Sequence, residues 1–250
     1  MEISKTKAAL YATLSSKKMR NRHGMFIVEG EKCVLDTLGA FDIVNILATP
    51  EWFGRHENIV SRYSDILLDT QSAVLAKISA LSSPPEVMAV FRIPKDTVVP
   101  DLSGRLVLVL DGIQDPGNLG TIIRTADWFG VDVILASTDT VDIYNPKTIQ
   151  STMGSLKRVK VYYTSLQDVL RQYPDMPVYG TLLNGENIFH AGLSDSGFII
   201  MGNEGNGISE EIRKFVTHPL LIPPYRKDSH GESLNVAIAT AITLSTFRNY

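Results

Sequence analysis

The stretch "RLVLVLDGIQDPGNLGTIIRTADWFGVDVILAS", residues 105–137, decides the fold. Residues 105–113 are an almost unbroken apolar run, the pattern of a strand covered on both faces. Asp115, Pro116 and Gly117 make a turn, and Asn118 is placed to cap a helix. In that helix Ile122, Ile123, Ala126 and Phe129 fall on one apolar stripe, and Gly130 ends it. Thr121, Arg124 and Trp128 share a different face. Residues 131–137 read as the next strand, so strand and helix alternate as in an α/β unit. Two residues are poor choices for a helix alone. Gly120 costs up to roughly 1 kcal/mol against alanine, and makes sense where another backbone or a ligand comes close. Arg124, near the helix N-terminus, gains nothing from the helix dipole; taken alone it is a surface arginine.

The same alternation continues outward. Strands are expected at 160–164, 177–183, 197–202 and 219–223, followed by a helix over 234–248. That helix is rich in alanine and threonine, as suits close packing against another element or another subunit. Towards the N-terminus, helices are expected at 4–18, 31–40, 52–63 and 72–81, with strands at 24–30, 41–49, 65–70 and 86–93. The segment "PKDTVVPDLSG" (94–104) has two prolines, a glycine and no periodicity, so it reads as a linker. The expected division is a domain over 1–95, a linker over 96–104 and a second domain over 105–250.

The chain has 250 residues, 44% hydrophobic and 20% charged, which suits globular domains large enough for their own cores. It contains no apolar run of membrane-spanning length, and its first 22 residues lack the apolar core of a secretory signal. The single cysteine, Cys33, and five scattered histidines speak against a disulfide framework or a zinc site. A cytoplasmic protein without a metal is expected. The formal net charge of −3 counts against a nucleic-acid binder, yet "SKKMRNRHG" (16–24) gathers Lys17, Lys18, Arg20 and Arg22 with no acid among them. That cluster is either a solvated helix end or a set of phosphate contacts.

Two further stretches carry chemistry. In "IIMGNEGNGISEE" (199–211), Gly202, Gly205 and Gly207 follow an apolar strand directly. The order G-x-x-G-x-G is neither the dinucleotide fingerprint nor a phosphate-binding P-loop. Glu204 at its centre would repel phosphate and could hold a cationic partner; the bland alternative is a loop with a polar tip. In "LLIPPYRKDSHGESLNVAIATAITL" (220–244), a strand ends in two prolines, and Ser233-Leu234-Asn235 opens the last helix. Ser233 could simply be that helix's cap.

The segments "NLGTIIRTA", "MGNEGNGI" and "IP" followed by "SLNVAIATAI" together resemble the three motifs of the SpoU (TrmH-like) branch of the SPOUT RNA methyltransferases. The resemblance covers roughly residues 105–247, and the stretch "RNRHGMFIVEGEKCVLDTL" is similar to the RNA-binding domain preceding many SpoU catalytic domains. It implies a C-terminal SPOUT-type α/β domain with a deep trefoil knot, preceded by a small α/β, ribosomal L30-like domain. Topology rules alone would exclude the knot. It implies S-adenosylmethionine as cofactor, contacted at Thr181, Leu182, Met201, Gly202, Ile222 and Leu234. The implied reaction is methylation of a ribose 2′-OH, with catalytic positions at Asn118, Arg124, Glu204, Ser233 and Asn235. Arg124 would stabilise the developing alkoxide, and Glu204 would orient Arg124 or Asn118. Lys17, Lys18, Arg20 and Arg22 would meet RNA phosphates. Ribosomal RNA is the expected substrate, with transfer RNA or a non-catalytic ribosome-assembly role as alternatives, and a homodimer through the catalytic domain is expected. The chain departs from the family in the segment from Tyr225 to Glu232, where the usual loop is shorter. Arg226, Lys227 and His230 there are either an RNA-touching lid or a neutral elaboration.

Overall fold

A computed structural model of the chain describes residues 1–95, 98–225 and 233–248. In chain order the helices and strands are α1 (Lys5–Ala12), α2 (Lys17–His23), β1 (Met25–Glu29), α3 (Glu31–Thr37), β2 (Ile43–Ala48), α4 (Pro50–Arg55), α5 (Glu57–Tyr63), β3 (Leu67–Asp69), α6 (Ser72–Ile78) and β4 (Val87–Arg92). There follow β5 (Leu106–Asp111), α7 (Pro116–Trp128), β6 (Val133–Ala136), α8 (Pro146–Thr152), β7 (Lys160–Tyr163), α9 (Leu166–Gln172) and β8 (Val178–Asn187). The chain closes with β9 (Gly197–Gly202), α10 (Glu210–Arg213), β10 (His218–Leu221) and α11 (Val236–Phe247). It divides into two compact units, one of Met1–Asp96 with Tyr144–Lys157, the other of Thr97–Ile143 with Arg158–Tyr250.

The first unit is built on a four-stranded sheet in the order β1-β4-β2-β3. Only the β2–β3 pair is parallel; β4 runs antiparallel to both its neighbours. Tyr11, Leu14, Leu47, Leu75 and Met88 form its core on one side. The helix expected over 4–18 is broken. After α1 a 3₁₀ turn covers Thr13–Ser15, Ser16 is extended, and α2 starts afresh. The break leaves carbonyls without helical partners, and Arg20 supplies them: its Nη1 donates to Leu14 O at 3.0 Å and Ser15 O at 2.7 Å. The helix expected over 52–63 also breaks, at His56 (φ −129°). The His56 ring stacks on Trp52 with centroids 4.0 Å apart.

Residues 144–157, read from the sequence as part of the second domain, pack with the first unit instead. The Tyr144 ring lies 4.6 Å from that of Phe26, and α8 rests on β1. Asn145 caps α8 by accepting from Lys147 N at 2.9 Å. Gly154 (φ +85°) passes so close to Asp36 that a Cβ there would stand 2.5 Å from the Asp36 Cβ.

The second unit has a six-stranded sheet, parallel throughout, in the order β10-β8-β9-β5-β6-β7. Every residue of β5 is buried, as its apolar run requires. From β5 the chain moves outward to β6 and β7, then returns on the other side of β5 to lay down β8, β9 and β10. The order therefore reverses between β5 and β9, and in open α/β sheets ligands bind beyond the strands' carboxyl ends near such a point. Strand β8 runs further than expected. Its pairing with β10 jumps from Pro219↔Gly180 to Leu220↔Glu186, so residues 181–185 leave the ladder. Helix α7 packs against α11, with Gly120 buried in α7 and Ala237, Thr240 and Thr243 buried in α11.

Candidate active site

Three turns meet at the carboxyl edge of the parallel sheet. The first follows β5. Asp115, not Asn118, caps α7: its Oδ1 accepts from Asn118 N at 2.8 Å. Pro116 explains the shift, since it lacks an N–H and has its φ preset for the first helical position. The helix thus begins three residues early, and the Asn118 side chain is free for another task.

The second turn follows β9. Asn203 and Gly207 exchange N–H···O bonds, both 2.9 Å, closing a tight turn over Glu204, Gly205 and Asn206. Asn203 Oδ1 accepts from Gly205 N at 2.9 Å and Asn206 N at 3.0 Å. The turn folds back on Gly202, where a Cβ would stand 2.2 Å from the Gly207 carbonyl carbon. Gly207 itself has φ +68°. Close approach at one end and a left-handed residue at the other account for this glycine spacing. The third turn precedes α11, whose cap is Asn235 rather than Ser233. Asn235 Oδ1 accepts from Ala237 N at 3.0 Å and Ile238 N at 3.3 Å.

A single chain of hydrogen bonds joins the three. Glu204 Oε1 accepts from Asn118 Nδ2 at 3.0 Å, and Asn118 Oδ1 accepts from Asn235 Nδ2 at 3.0 Å. Glu204 also accepts from Gln114 N at 3.3 Å and Asp115 N at 3.4 Å. A carboxylate only accepts, so it fixes which end of the Asn118 amide faces it. That choice fixes the Asn235 amide in turn, with its oxygen left for the helix N–H groups. Residues 86 and 117 positions apart in sequence are thereby held in one orientation.

Beside this chain lies a cleft of about 350 Å³, within the size range of small-molecule sites. Thr181, Leu182, Met201, Gly202, Ile222 and Leu234 all line it, together with Glu204 and Ser233. Leu183, Asn203, Leu220 and Leu221 also line it and escaped the sequence reading. Gln114 escaped too, although an amide side chain just before Asp-Pro was a visible signal. Apolar side chains against a ring of turn backbone suit a flat heteroaromatic group with polar edges. By that test the cleft fits an adenosine-bearing cofactor.

Arg124 is not part of the hydrogen-bond chain. It is exposed on α7, and no hydrogen bond or ion pair is found for it among the described residues. Of the two partners expected for Glu204, the structure supplies Asn118. On the first unit Lys17, Lys18 and Arg22 are exposed, whereas Arg20 is 1% exposed. The expectation of a phosphate contact fails for Arg20, because its guanidinium is taken up by the helix break. Arg226, Lys227 and His230 lie outside the described residues. Among the described residues no cluster of His, Cys, Asp and Glu could hold a metal, and no helix is long and apolar enough to cross a membrane.

Residues 105–245 match the SpoU rRNA Methylase family, and residues 9–89 match the MRM3-like substrate binding domain. The chain belongs to the SpoU family. It is 31% identical to the 23S rRNA (guanosine(2553)-2′-O)-methyltransferase RlmP of Bacillus subtilis, over 94% of this chain and 93% of that one. It is 34% identical to the 23S rRNA (guanosine-2′-O-)-methyltransferase RlmB of Neisseria meningitidis, over 57% of this chain and 58% of that one. Among solved structures, a TrmH-family protein of Porphyromonas gingivalis superposes with a TM-score of 0.87 at 34% identity, covering 99% of both chains. An AdoMet-bound rRNA methyltransferase from Sinorhizobium meliloti does so with a TM-score of 0.84 at 28% identity, covering 99% of this chain and 97% of that one.

Proposed function

We propose that this SpoU protein transfers a methyl group from S-adenosylmethionine to a ribose 2′-OH of ribosomal RNA. The observation that carries the reading is the bonded chain Glu204–Asn118–Asn235, which gathers the three motifs with Glu204 on the wall of the cleft. Thr181, Leu182, Met201, Gly202, Ile222 and Leu234 would hold the cofactor. When bound, S-adenosylmethionine supplies a methyl group on a sulfonium whose charge disappears as the methyl leaves, so the transfer calls for no metal. The chain's own task is alignment of the sugar oxygen, which can lower the barrier by several kcal/mol. Glu204, held by three donors, sets Asn118, and Asn118 and Ser233 are offered to the ribose. Arg124 stabilises the alkoxide that develops on the 2′-oxygen as its proton passes to solvent water. A guanidinium stays protonated and is a poor general base.

Lys17, Lys18 and Arg22 of the substrate-binding unit contact RNA phosphates. The protein is cytoplasmic and works as a homodimer through α7 and α11. Two observations support the dimer. Trp128 is 85% exposed on the α7 face that carries Arg124, and Ile238 is 55% exposed on α11. A twofold contact over this face would also carry Arg124 to the second copy. The deep knot of the SPOUT fold belongs to the same proposal. It is supported by the tight passage at Gly185, where a Cβ would stand 2.4 Å from the Leu220 carbonyl carbon.

The test is methyl transfer from labelled S-adenosylmethionine into ribosomal and transfer RNA, read by nucleoside mass spectrometry. One 2′-O-methyl nucleoside should appear in ribosomal RNA. Absence of any product with ribosomal RNA defeats the reading, and product in transfer RNA alone replaces it with the tRNA alternative. Arg124→Ala should cut the rate at least about a hundredfold, with cofactor affinity by calorimetry changed less than threefold. Activity close to that of the unsubstituted protein would refute the role given to Arg124.

A further inference from the structure

The carboxylate of Glu204 can orient Asn118 only if two separate pieces of backbone stand in register. One is the turn that carries Glu204 itself. The other is the exit from β5, which brings Gln114 N, Asp115 N and Asn118 to the carboxylate. Asn203 is bonded to both. Its Oδ1 takes Gly205 N and Asn206 N and so shapes the turn around Glu204. Its Nδ2 donates to Gly112 O at 2.7 Å, across 91 positions of sequence. Gly112 is the residue at which the β5 exit bends, with φ +72°, and its would-be Cβ lies 3.7 Å from the Asn203 Cβ. The same carbonyl accepts from Gln114 Nε2 at 3.3 Å, and that amide reaches on to Asp139 O at 2.9 Å. The Gly112 N–H is taken by Ser137 Oγ at 2.8 Å.

We propose that Asn203 is a positioning residue for methyl transfer: by clamping the glycine turn to the β5 exit it sets the Glu204 carboxylate against Asn118. This inference rests on the proposed methyltransferase reading. The clamp needs an amide. Its oxygen must accept from the turn while its nitrogen donates to a carbonyl, and among side chains of this length only asparagine does both. Aspartate keeps the shape and the turn bonds but faces the Gly112 carbonyl with an acceptor, so the two pieces should part. A displacement of about 1 Å at the reacting groups can cost on the order of a hundredfold in rate.

The experiment is a double-mutant cycle on single-turnover methyl transfer at saturating cofactor and ribosomal RNA, with cofactor affinity measured separately by calorimetry. Asn203→Asp should slow transfer roughly ten- to a hundredfold while cofactor affinity changes less than threefold. Because Asn203 acts through Glu204, the pair Asn203→Asp with Glu204→Gln should be no slower than Glu204→Gln alone. Asn203→Ser, which keeps a short acceptor for the turn but cannot reach Gly112 O, is the second variant should the aspartate protein not fold, and the same pattern is expected of it. Costs that simply add in the double variant, a rate within twofold of wild type, or a loss of cofactor affinity that parallels the loss of rate would each overturn the proposal. An unsubstituted protein inactive on ribosomal RNA would instead overturn the methyltransferase reading on which it rests.

Discussion

A buried arginine is costly unless its donors are met, and Arg20 meets that condition with the carbonyls of Leu14 and Ser15. Arg20→Ala should therefore lower the stability of the first unit by about 2–3 kcal/mol, measured by denaturant unfolding. Replacing Lys17, Lys18 and Arg22 by alanine should leave the unfolding midpoint in place and reduce the salt dependence of RNA binding, by roughly 0.7–0.9 in the log–log slope for each phosphate no longer neutralised. A salt slope unchanged in the triple variant would remove these residues from the RNA surface. Sequence could not separate Arg20 from its neighbours, because all four carry the same charge and only the broken helix distinguishes them. The same holds at Asn118 and Ser233. Each stood where a helix cap was plausible, but Asp115 and Asn235 took the caps, which in the first case frees Asn118 for Glu204.

Among the elements, those with long apolar runs or firm stops were legible. Strands β5 and β9 and helix α11 lie within two residues of their expected positions, and α7 within three. Helices α8, α9 and α10 were not anticipated, being four to seven residues long. Two of them did carry a signal: Asn145-Pro146 is a cap followed by a first-turn proline, and Ser165 caps α9 from three residues before Asp168. Strand β8 was placed but its length was not: residues 181–185 leave the ladder with β10, and Thr181, Leu182 and Leu183 line the cleft. The outer face of α7 carries the prediction at this scale. Trp128→Glu should convert the protein to a monomer in light scattering and lower methyl transfer, while the thermal midpoint of the chain itself moves little, because the side chain is exposed within one copy. A dimer that survives the substitution would place the contact elsewhere.

For the whole molecule, the sequence pattern divided the chain at a linker and assigned everything after it to the second domain. The detour of residues 144–157 was hidden because Asn145-Pro146 announces a helix but not the unit it packs with; what assigns them is Tyr144 against Phe26 and Gly154 against Asp36. A protein lacking residues 1–95 would retain α8 without the strand it rests on. It should unfold at lower temperature and bind RNA more weakly, whereas a version that also replaces 144–157 by a short flexible linker should regain thermal stability and bind S-adenosylmethionine. Equal stability of the two truncated proteins would show that the detour needs no partner. The detour also bears on how the polypeptide emerges during synthesis. Chains fold from the N-terminus as they are made, so β1 and α3 are already available when residue 144 leaves the ribosome, and the detour can dock before β8 and β9 emerge. Moving the first 95 residues to the C-terminus by circular permutation would reverse that order, leaving the connection between β6 and β7 to wait, undocked, for its platform.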